Sequence, residues 1–393
     1  MQNSKDNIIP FRKALLFKNA NLVDLQTGEV RLVDILTENG RIASIDDAGK
    51  SKNKFAEVED LKGDFVIPPF VNAYSDSKNA LEMSYGVEKL STTGENVTDF
   101  MQEALKHFDG VENIDKMAEL SARTLLSMKN IFAGALYVND TEDDDVCVVD
   151  NITEMTDTEL DAACEASKEN CLFLKVGQTL NELGTIDKQY KKPLSQVLED
   201  FGLLDSSPVI VGGNCFEKDE LELLRNYDCP FVLTPYEDAR MGRRPTNIKA
   251  LGTLEFNIGL GSGCVCEIDF FAYMRQLILT MRGLFEDEEV LSEQEALKIA
   301  TGQRMGMLNL KRKLVIPGQW VVGGKADFLV IRRTETFYDS VFKSLVWEKS
   351  KHDVVMTIQD GKILQKNGRF SMDLDFDYDI IKSSIKMFTR RKK

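Results

Sequence analysis

The sequence predicts an α/β fold that combines a parallel barrel of the (β/α)8 type with a β-sandwich built from both ends of the chain. Two observations favour this fold. Residues 13–62 and 314–372 contain stretches in which apolar and polar residues alternate, as in half-buried strands. Between them, short apolar runs alternate with helical segments, which is typical of a parallel sheet with crossover helices. Because we find seven such runs, either the barrel is distorted or abbreviated, or one strand escapes detection.

This organisation divides the chain into four segments. We expect the N-terminal part of the composite β-sandwich domain at 1–62, the barrel at 63–313, the C-terminal part of the sandwich at 314–372 and a basic tail at 373–393. Asn39-Gly40 and Asp360-Gly361 predict tight hairpin turns. The predicted barrel strands are 65–72, 134–138, 146–149, 171–176, 208–212, 230–234 and 257–261. Predicted helices cover 117–129, 158–168 and 218–226, and Ser292 with Glu295 forms a capping box that opens another.

The composition limits the kinds of partner. A formal net charge of −15 disfavours nucleic acids and anionic membrane surfaces as partners. No apolar run approaches the roughly 20 residues that span a bilayer, and the polar N-terminus lacks the core of a signal peptide. We therefore expect a cytoplasmic protein. Its 7 cysteines are scattered, which argues against a framework of disulfides.

Several motifs resemble those of a known family. The run Val66-Ile67-Pro68-Pro69-Phe70-Val71-Asn72-Ala73 resembles the "V-x-P-G-F-V-N-A" entry into the first barrel strand of the amidohydrolase superfamily, in its cytosine deaminase, guanine deaminase and chlorohydrolase branch. Further similar segments follow in the same order at 203–224, 297–301, 324–328, 345–347, 353–354 and 360–362. The resemblance covers residues 13–372 and implies a TIM barrel with a composite β domain.

The resemblance also implies where a metal would lie. Enzymes of this branch hold zinc or iron with His-x-His after strand one, one histidine each on strands five and six, and an aspartate on strand eight. Here these positions hold Tyr74, Asp76, Lys175, Gly212 and Gly263. A catalytic zinc needs three protein ligands, and Asp76 is the one good ligand in this set. We therefore expect no metal and no other cofactor.

Loss of the metal would have a large energetic consequence. Zinc lowers the pKa of bound water from about 15.7 to about 7, so its loss withdraws roughly 12 kcal/mol of help in forming hydroxide. A general base supplies a factor of about 10² to 10⁴, or roughly 3 to 5 kcal/mol. The main prediction is a non-catalytic protein that acts as a regulatory or scaffolding subunit or binds a ligand. It would form a homodimer or pair with an active relative.

An alternative is a hydrolase or deaminase that acts on C–N bonds of a small cyclic substrate without a metal. Its catalytic groups would be Asp76, Lys175 and Cys215, the last at a position where the family often has a second histidine. Against this, Asp76 and Lys175 are expected to form a structural salt bridge across the barrel mouth, and Tyr74 to fill the volume that a histidine and metal leave behind.

A third interpretation is a receptor for a small molecule. Gln178, which takes the position of the family's proton-shuttling glutamate, and Asp238 are candidate ligand-binding residues. Arg240, Arg243 and Arg244 lie in the predicted loop after strand seven and could grip a phosphate or carboxylate, although a solvated charged loop explains them equally well.

Overall fold

The structure, a computed structural model, describes residues 14–51, 56–77, 80, 126–141, 143–150, 152–304 and 320–371. The predicted tail at 373–393, His107 and most of the helix predicted at 117–129 lie outside the described residues. Residues 126–133 are helical. Within the described ranges, no helix combines the length and the apolar character that crossing a membrane requires.

The strands and helices follow one another along the chain as a mixed α/β fold. The strands are β1 Leu15–Val23, β2 Val30–Glu38, β3 Arg41–Asp47, β4 Glu57–Asp60, β5 Phe65–Ile67, β6 Phe70–Ser75, β7 Ala135–Asp140, β8 Val146–Asp150, β9 Cys171–Val176, β10 Val209–Gly212, β11 Phe231–Leu233, β12 Ile258–Leu260, β13 Phe328–Ile331, β14 Val354–Gln359, β15 Lys362–Lys366 and β16 Arg369–Phe370. The labelled helices are α1 Asp157–Ser167, α2 Leu180–Tyr190, α3 Leu194–Asp200, α4 Lys218–Asn226, α5 Pro235–Arg240, α6 Ile248–Thr253, α7 Phe270–Phe285, α8 Glu293–Ala300 and α9 Val341–Glu348.

One nine-stranded sheet contains strands from both ends of the chain. Its order is β16-β15-β14-β13-β5-β1-β2-β3, with β4 beside β1. The two ends meet where β5 pairs antiparallel with β13, with Ile67 opposite Leu329. The rings of Phe17 and Phe328 lie 5.0 Å apart in the core beneath this junction.

The strand predicted at 65–72 is two strands, which corrects the sequence interpretation. Phe65–Ile67 belongs to the nine-stranded sheet, and Phe70–Ser75 pairs with β7 in a separate sheet. Pro68 and Pro69 lie between them, and neither has the backbone N–H that a ladder of hydrogen bonds requires. The chain therefore passes from one sheet to the other at the two prolines.

The remaining strands are parallel. β6 pairs with β7, and a five-stranded sheet has the order β12-β11-β10-β9-β8. An isolated parallel bridge from Ser75 to Gly263 brings β6 against the end of β12. The six other predicted barrel strands agree with β7 to β12 to within two residues at each end.

The described residues do not form a closed barrel, and the sequence leaves open whether the barrel would be distorted or abbreviated. β7 and β8 do not pair with each other, and only residues 141–145 connect them. Neighbouring parallel strands need a crossover of about a dozen residues or more, because the chain must return to the opposite edge of the sheet. A connection this short leaves an open seam between β7 and β8.

Local sequence explains where several helices begin. The side chain of Ser292 accepts a hydrogen bond from the backbone N–H of Glu295, so the predicted start of α8 is confirmed. Asp269 caps α7 in the same way, by accepting from Phe271 and Ala272. The capped α7 then packs Phe270 and Phe271 against Phe70, with ring centroids 5.2 Å apart in each case.

A buried asparagine connects β6 to the segment after β12. Asn72 Nδ2 donates to Ser262 Oγ at 2.9 Å and to Asn130 Oδ1 at 3.0 Å, and Asn72 Oδ1 accepts from the backbone N–H of Ser262 at 2.9 Å. Gly261 makes this approach sterically feasible, because a Cβ there would lie 2.8 Å from the carbonyl oxygen of Tyr74. The strand ends on either side of the bridge from Ser75 to Gly263 are thereby aligned.

We predict that Asn72→Ala lowers the free energy of unfolding by about 2–3 kcal/mol, since it leaves buried partners without hydrogen bonds. Urea unfolding measures this change, and the exposed Asn181→Ala is the matched control with an expected effect within about 0.5 kcal/mol. Equal stabilities of the two variants would contradict the proposed role of Asn72.

Candidate functional site

Lys175 is the central cation at the carboxyl ends of the parallel strands. Its side chain is 7% exposed, and its Nζ lies 3.3 Å from Asp150 Oδ2 and 3.7 Å from Glu237 Oε1. Burial alone would lower the pKa of Lys175, but the carboxylates of Glu237 and Asp150 outweigh it and hold the pKa well above its usual value. Lys175 is therefore an ammonium ion at neutral pH.

Glu237 lies in the first turn of α5 and is fully buried between two cations. Arg243 donates to its Oε1 at 2.9 Å, and the backbone N–H of Cys264 donates to its Oε2 at 3.1 Å. Burial raises the pKa of Glu237, but Lys175 and Arg243 lower it further, so the net pKa is below the usual value. The result is a continuous chain of charges from Lys175 through Glu237 to Arg243.

A glycine provides the space that Glu237 occupies. Gly263 has φ +63°, and a Cβ built there would lie 1.6 Å from Glu237 Oε2. The position at which the resemblance places the family's aspartate thus has no side chain here, and the carboxylate of Glu237 fills the adjoining space.

Asp76 and Tyr74 are connected to Gly263 by backbone hydrogen bonds. Asp76 donates its N–H to the carbonyl of Gly263 at 3.0 Å, and Gly263 donates to the carbonyl of Tyr74 at 3.0 Å. The Asp76 carboxylate accepts from Thr141 Oγ1 at 3.5 Å. Since Lys175 pairs with Asp150 and Glu237, the salt bridge expected between Asp76 and Lys175 is not formed.

Tyr74 points into the apolar interior of the sheet. It is buried among the side chains of a small cluster, and its ring lies 5.5 Å from that of Phe173. Burial raises the pKa of Tyr74 well above its usual value, and its hydroxyl has no hydrogen-bond partner among the described residues. Tyr74 is therefore a neutral phenol.

A second polar cluster lies beside the charges, where β9 and β10 end. Gly212 has φ +87°, and a Cβ there would lie 2.8 Å from Asn214 Oδ1 and 2.9 Å from Gln178 Nε2. Asn214 Nδ2 donates to Asp238 Oδ2 at 2.9 Å and to the carbonyl of Arg244 at 2.6 Å. Gln178, Asn214 and Asp238 are thus brought together around Gly212.

Several polar atoms of this cluster are buried without a hydrogen-bond partner in the described part of the chain. They are Gln178 Nε2, Asn214 Oδ1, Thr234 Oγ1 just after β11, and Asp238 Oδ1, which has the Arg243 guanidinium 3.6 Å away as an ion-pair partner. A buried polar group without a hydrogen bond costs about 1–3 kcal/mol. Four such groups near the ends of neighbouring strands are therefore a feature that calls for an explanation.

Asp238 titrates near neutral pH. Burial raises its pKa, Arg243 at 3.6 Å lowers it and Glu237 raises it again, with the result that the pKa is about 6. Asp238 therefore changes between an acceptor and a donor of hydrogen bonds across the physiological range.

The three arginines predicted to bind a ligand lie in different surroundings. Arg243 points inward to Glu237 and Asp238, whereas Arg240 pairs with Glu267 at 2.9 Å near the surface and Arg244 is exposed. The predicted loop also begins with helix α5, so its first residues are helical.

Cys215 lies against the Gln178 segment and donates its thiol to the carbonyl of Gln178 at 3.6 Å. Burial raises the pKa of Cys215, which keeps the sulfur protonated. A neutral thiol is a weak nucleophile and a poor metal ligand.

The donor set does not fit the zinc or iron of the family. At the corresponding positions an ammonium ion, a neutral phenol and two glycines stand beside Asp76, and a protonated Lys175 repels a divalent cation. Across the described ranges, no three His, Cys, Asp or Glu side chains are grouped as a metal site would require.

Sequence reasoning missed three residues of the site. Glu237 lies in the same predicted loop as Arg240, Arg243 and Arg244, and it follows a predicted strand by only a few residues. Asp150 ends β8 and Asn214 follows Gly212-Gly213. Each is a polar residue at the carboxyl end of a parallel strand, and that position was the available signal.

We predict that Gly263→Ala destabilises the protein by about 3 kcal/mol or more, because the new Cβ would overlap with Glu237. Gly242→Ala is the matched control: Gly242 has φ +64° but no atom within 4 Å of a Cβ, so about 1–2 kcal/mol from backbone strain is expected. Thermal and urea unfolding measure both. A similar loss in both variants would contradict the tight contact with Glu237.

We predict a pH-dependent effect of Asp238→Asn. The folded state raises the pKa of Asp238 from 3.8 to about 6, so it favours the protonated form. This contribution to stability is present below about pH 4 and is lost as the pH rises through 6. The asparagine variant should therefore gain up to about 3 kcal/mol relative to the unmodified protein between pH 4 and 7. Urea unfolding at both pH values, with the exposed Asp161→Asn as control, measures this; a constant difference would refute it.

Comparisons with known proteins agree with the predicted resemblance. The 5-methylthioadenosine/S-adenosylhomocysteine deaminases of Bacillus cereus (strain B4264), Bacillus thuringiensis (strain Al Hakam) and Bacillus anthracis (strain CDC 684 / NRRL 3495) are each 22% identical to this chain. These alignments cover 85% of this chain and 89% of each relative. No family model matches the sequence.

Solved structures share the fold. An adenosine deaminase from Xanthomonas campestris with bound zinc has a TM-score of 0.78 at 14% identity, covering 96% of this chain and 98% of the other. A guanine deaminase from C. acetobutylicum with bound guanine gives 0.68 at 16%, covering 89% and 100%. An atrazine chlorohydrolase from Arthrobacter aurescens complexed with zinc gives 0.74 at 14%, covering 95% and 99%. The predicted resemblance to the deaminase and chlorohydrolase branch of the amidohydrolase superfamily is therefore confirmed.

Proposed function

We propose that this chain binds a small, polar nitrogen heterocycle without the help of a metal, and that it acts as a ligand-binding or regulatory protein. The ligand would lie at Gln178, Asn214 and Asp238, which we call the strand-end site. The observation that carries this proposal is the group of polar atoms without a hydrogen-bond partner on Gln178, Asn214 and Asp238. All three side chains are more than nine-tenths buried, so a bound molecule that supplied the missing hydrogen bonds would recover a substantial free energy.

The three atoms define the chemistry of the ligand. Gln178 Nε2 is a donor, Asn214 Oδ1 is an acceptor, and Asp238 Oδ1 accepts or donates according to its protonation. A ring that carries a ring nitrogen or carbonyl beside an amino group presents the complementary pattern. The relatives support this class, because their names or bound ligands are adenosine derivatives and guanine.

The charge chain supports binding in preference to metal-dependent turnover. Lys175 is paired with Asp150 and Glu237, and Arg243 with Glu237 and Asp238, so neither cation nor Glu237 is available as a base or as a metal ligand. Their role in the proposal is structural: they hold α5 in place and thereby position Asp238 beside Asn214.

A hydrolase that acts on C–N bonds without a metal is a second candidate, and Asp238 is the observation that favours it. A pKa of about 6 suits a general base near neutral pH, and its Oδ1 accepts no hydrogen bond in the described part of the chain, although Arg243 lies 3.6 Å from it. In this case Asp238 would accept the proton of an attacking water. The expected acceleration is about 10² to 10⁴.

We expect a ligand to be found among adenine, guanine, adenosine, 5-methylthioadenosine, S-adenosylhomocysteine and amino-triazines by a thermal-shift screen. At about 100 times its Kd, a ligand adds about 2.7 kcal/mol to stability. Gln178→Ala and Asn214→Ala should each weaken binding about tenfold or more in calorimetry, because each removes one hydrogen bond to the ligand.

The exposed Gln196→Ala is the matched control and should bind as the unmodified protein does. Absence of binding across the screen, or unchanged affinity in both site variants, would refute the proposal. Release of ammonia or of another leaving group from a bound compound, abolished in Asp238→Asn and insensitive to chelators, would favour the hydrolase instead.

A further inference from the structure

A separate cavity of about 470 Å³ lies between the helical residues 126–133 and the nine-stranded sheet. Its apolar wall contains Phe132, Ile268 and Val354, and its polar part contains Gln365 and Asn367. Small-molecule sites in proteins commonly have volumes of about 300–1,000 Å³. None of the residues that form the strand-end site lines this cavity.

The charged residues at this cavity are all basic. They are Lys129, Arg332 and Lys351, which line it beside His352, and no aspartate or glutamate is among the described lining residues. The chain as a whole carries a net charge of −15, so a cavity lined by cations differs in the sign of its charge from the protein as a whole. A cavity lined by one sign of charge attracts ions of the opposite sign.

Two of the cations are available for a ligand. Within the described part of the chain, Arg332 and Lys351 form no ion pair, whereas Lys129 donates to the carbonyl of Cys266 at 2.9 Å. The nearest acidic side chain along the chain, Asp353, accepts from the N–H and hydroxyl of Ser350 and caps that turn.

The backbone holds these two cations beside each other. The N–H of Arg332 donates to the carbonyl of Asp353 at 2.8 Å, which brings the end of β13 against the turn that carries Lys351 and His352. Like charges in such proximity repel, and a bound anion removes that repulsion.

We propose that this cavity binds a small molecule that carries a phosphate group next to an apolar or aromatic part, independently of the strand-end site. The guanidinium of Arg332 matches two phosphate oxygens, and the ammonium of Lys351 contributes a point charge. The ring or apolar part lies against Phe132 and Val354. A nucleoside monophosphate combines both features, and pyrophosphate supplies the charge alone.

The test is calorimetric titration of the full chain with adenosine monophosphate and, separately, with pyrophosphate. We expect both to bind, the nucleotide more tightly because of its ring, and both to weaken as salt rises from about 0.05 M to about 0.5 M. The double variant Arg332→Ala/Lys351→Ala should lose affinity at least about tenfold.

Arg31→Ala/Lys188→Ala removes the same net charge from exposed positions away from the cavity and is the matched control. It should retain the affinity of the unmodified protein, which separates a built site from general attraction of anions. Far-UV circular dichroism and thermal unfolding of both double variants check that they are folded. Failure of either probe to bind the full chain, or an equal loss in the two double variants, would overturn the proposal.

Because adenosine monophosphate could also enter the strand-end site, Gln178→Ala is titrated in parallel. Unchanged binding of the nucleotide in Gln178→Ala together with its loss in Arg332→Ala/Lys351→Ala supports the basic cavity. The reverse pattern would place the nucleotide at the strand ends and contradict this inference, while leaving the proposed function intact.

Discussion

The ion-pair chain from Lys175 through Glu237 to Arg243 constrains the whole of the strand-end region. A carboxylate as deeply buried as Glu237 remains ionised only because a cation lies on each side of it. Removing Glu237 would leave Lys175 and Arg243 without the carboxylate they share, at a cost of about 3–5 kcal/mol. Through this ion pair α5, which carries Glu237, is held against β9, which carries Lys175.

The backbone around these ion pairs is constrained as well. Glu237 needs the space beside Gly263, and Gly263 exchanges hydrogen bonds with Tyr74 and Asp76. The loop after β12 is thereby tied to the end of β6, where Asn72 and Ser262 add a second connection. An ammonium ion thus stands at a position where the resemblance places a metal ligand. Its charge and that of Arg243 are balanced by Asp150, Glu237 and Asp238, and the proposed function assigns ligand binding to Gln178, Asn214 and Asp238.

Much of the fold could be predicted because it depends on local pattern. Runs such as 171–176 are apolar except for Lys175 and bounded by polar turns, and the start of α8 depends on a side chain and an N–H three residues apart. The sequence predicts parallel strands and allows a distorted barrel, but it does not locate the distortion. The open seam between β7 and β8 follows from strand pairings between segments distant in sequence, although the brevity of residues 141–145 is visible in the sequence.

The candidate site, like the fold, could be predicted from the sequence only in part. The sequence by itself determined which groups are absent from the family's metal positions, since no histidine stands at any of them, and it drew attention to Lys175, Gln178 and Asp238. Only the tertiary structure decided that Lys175 pairs with Glu237 and Asp150 instead of Asp76, that Arg243 points inward, and that Asn214 belongs with Gln178. The physical reason is that residue identity sets only the available charges and hydrogen-bonding groups. The partners and strength of their interactions depend on burial and on distances of about 3–4 Å, and these arise only when separate strands are brought together.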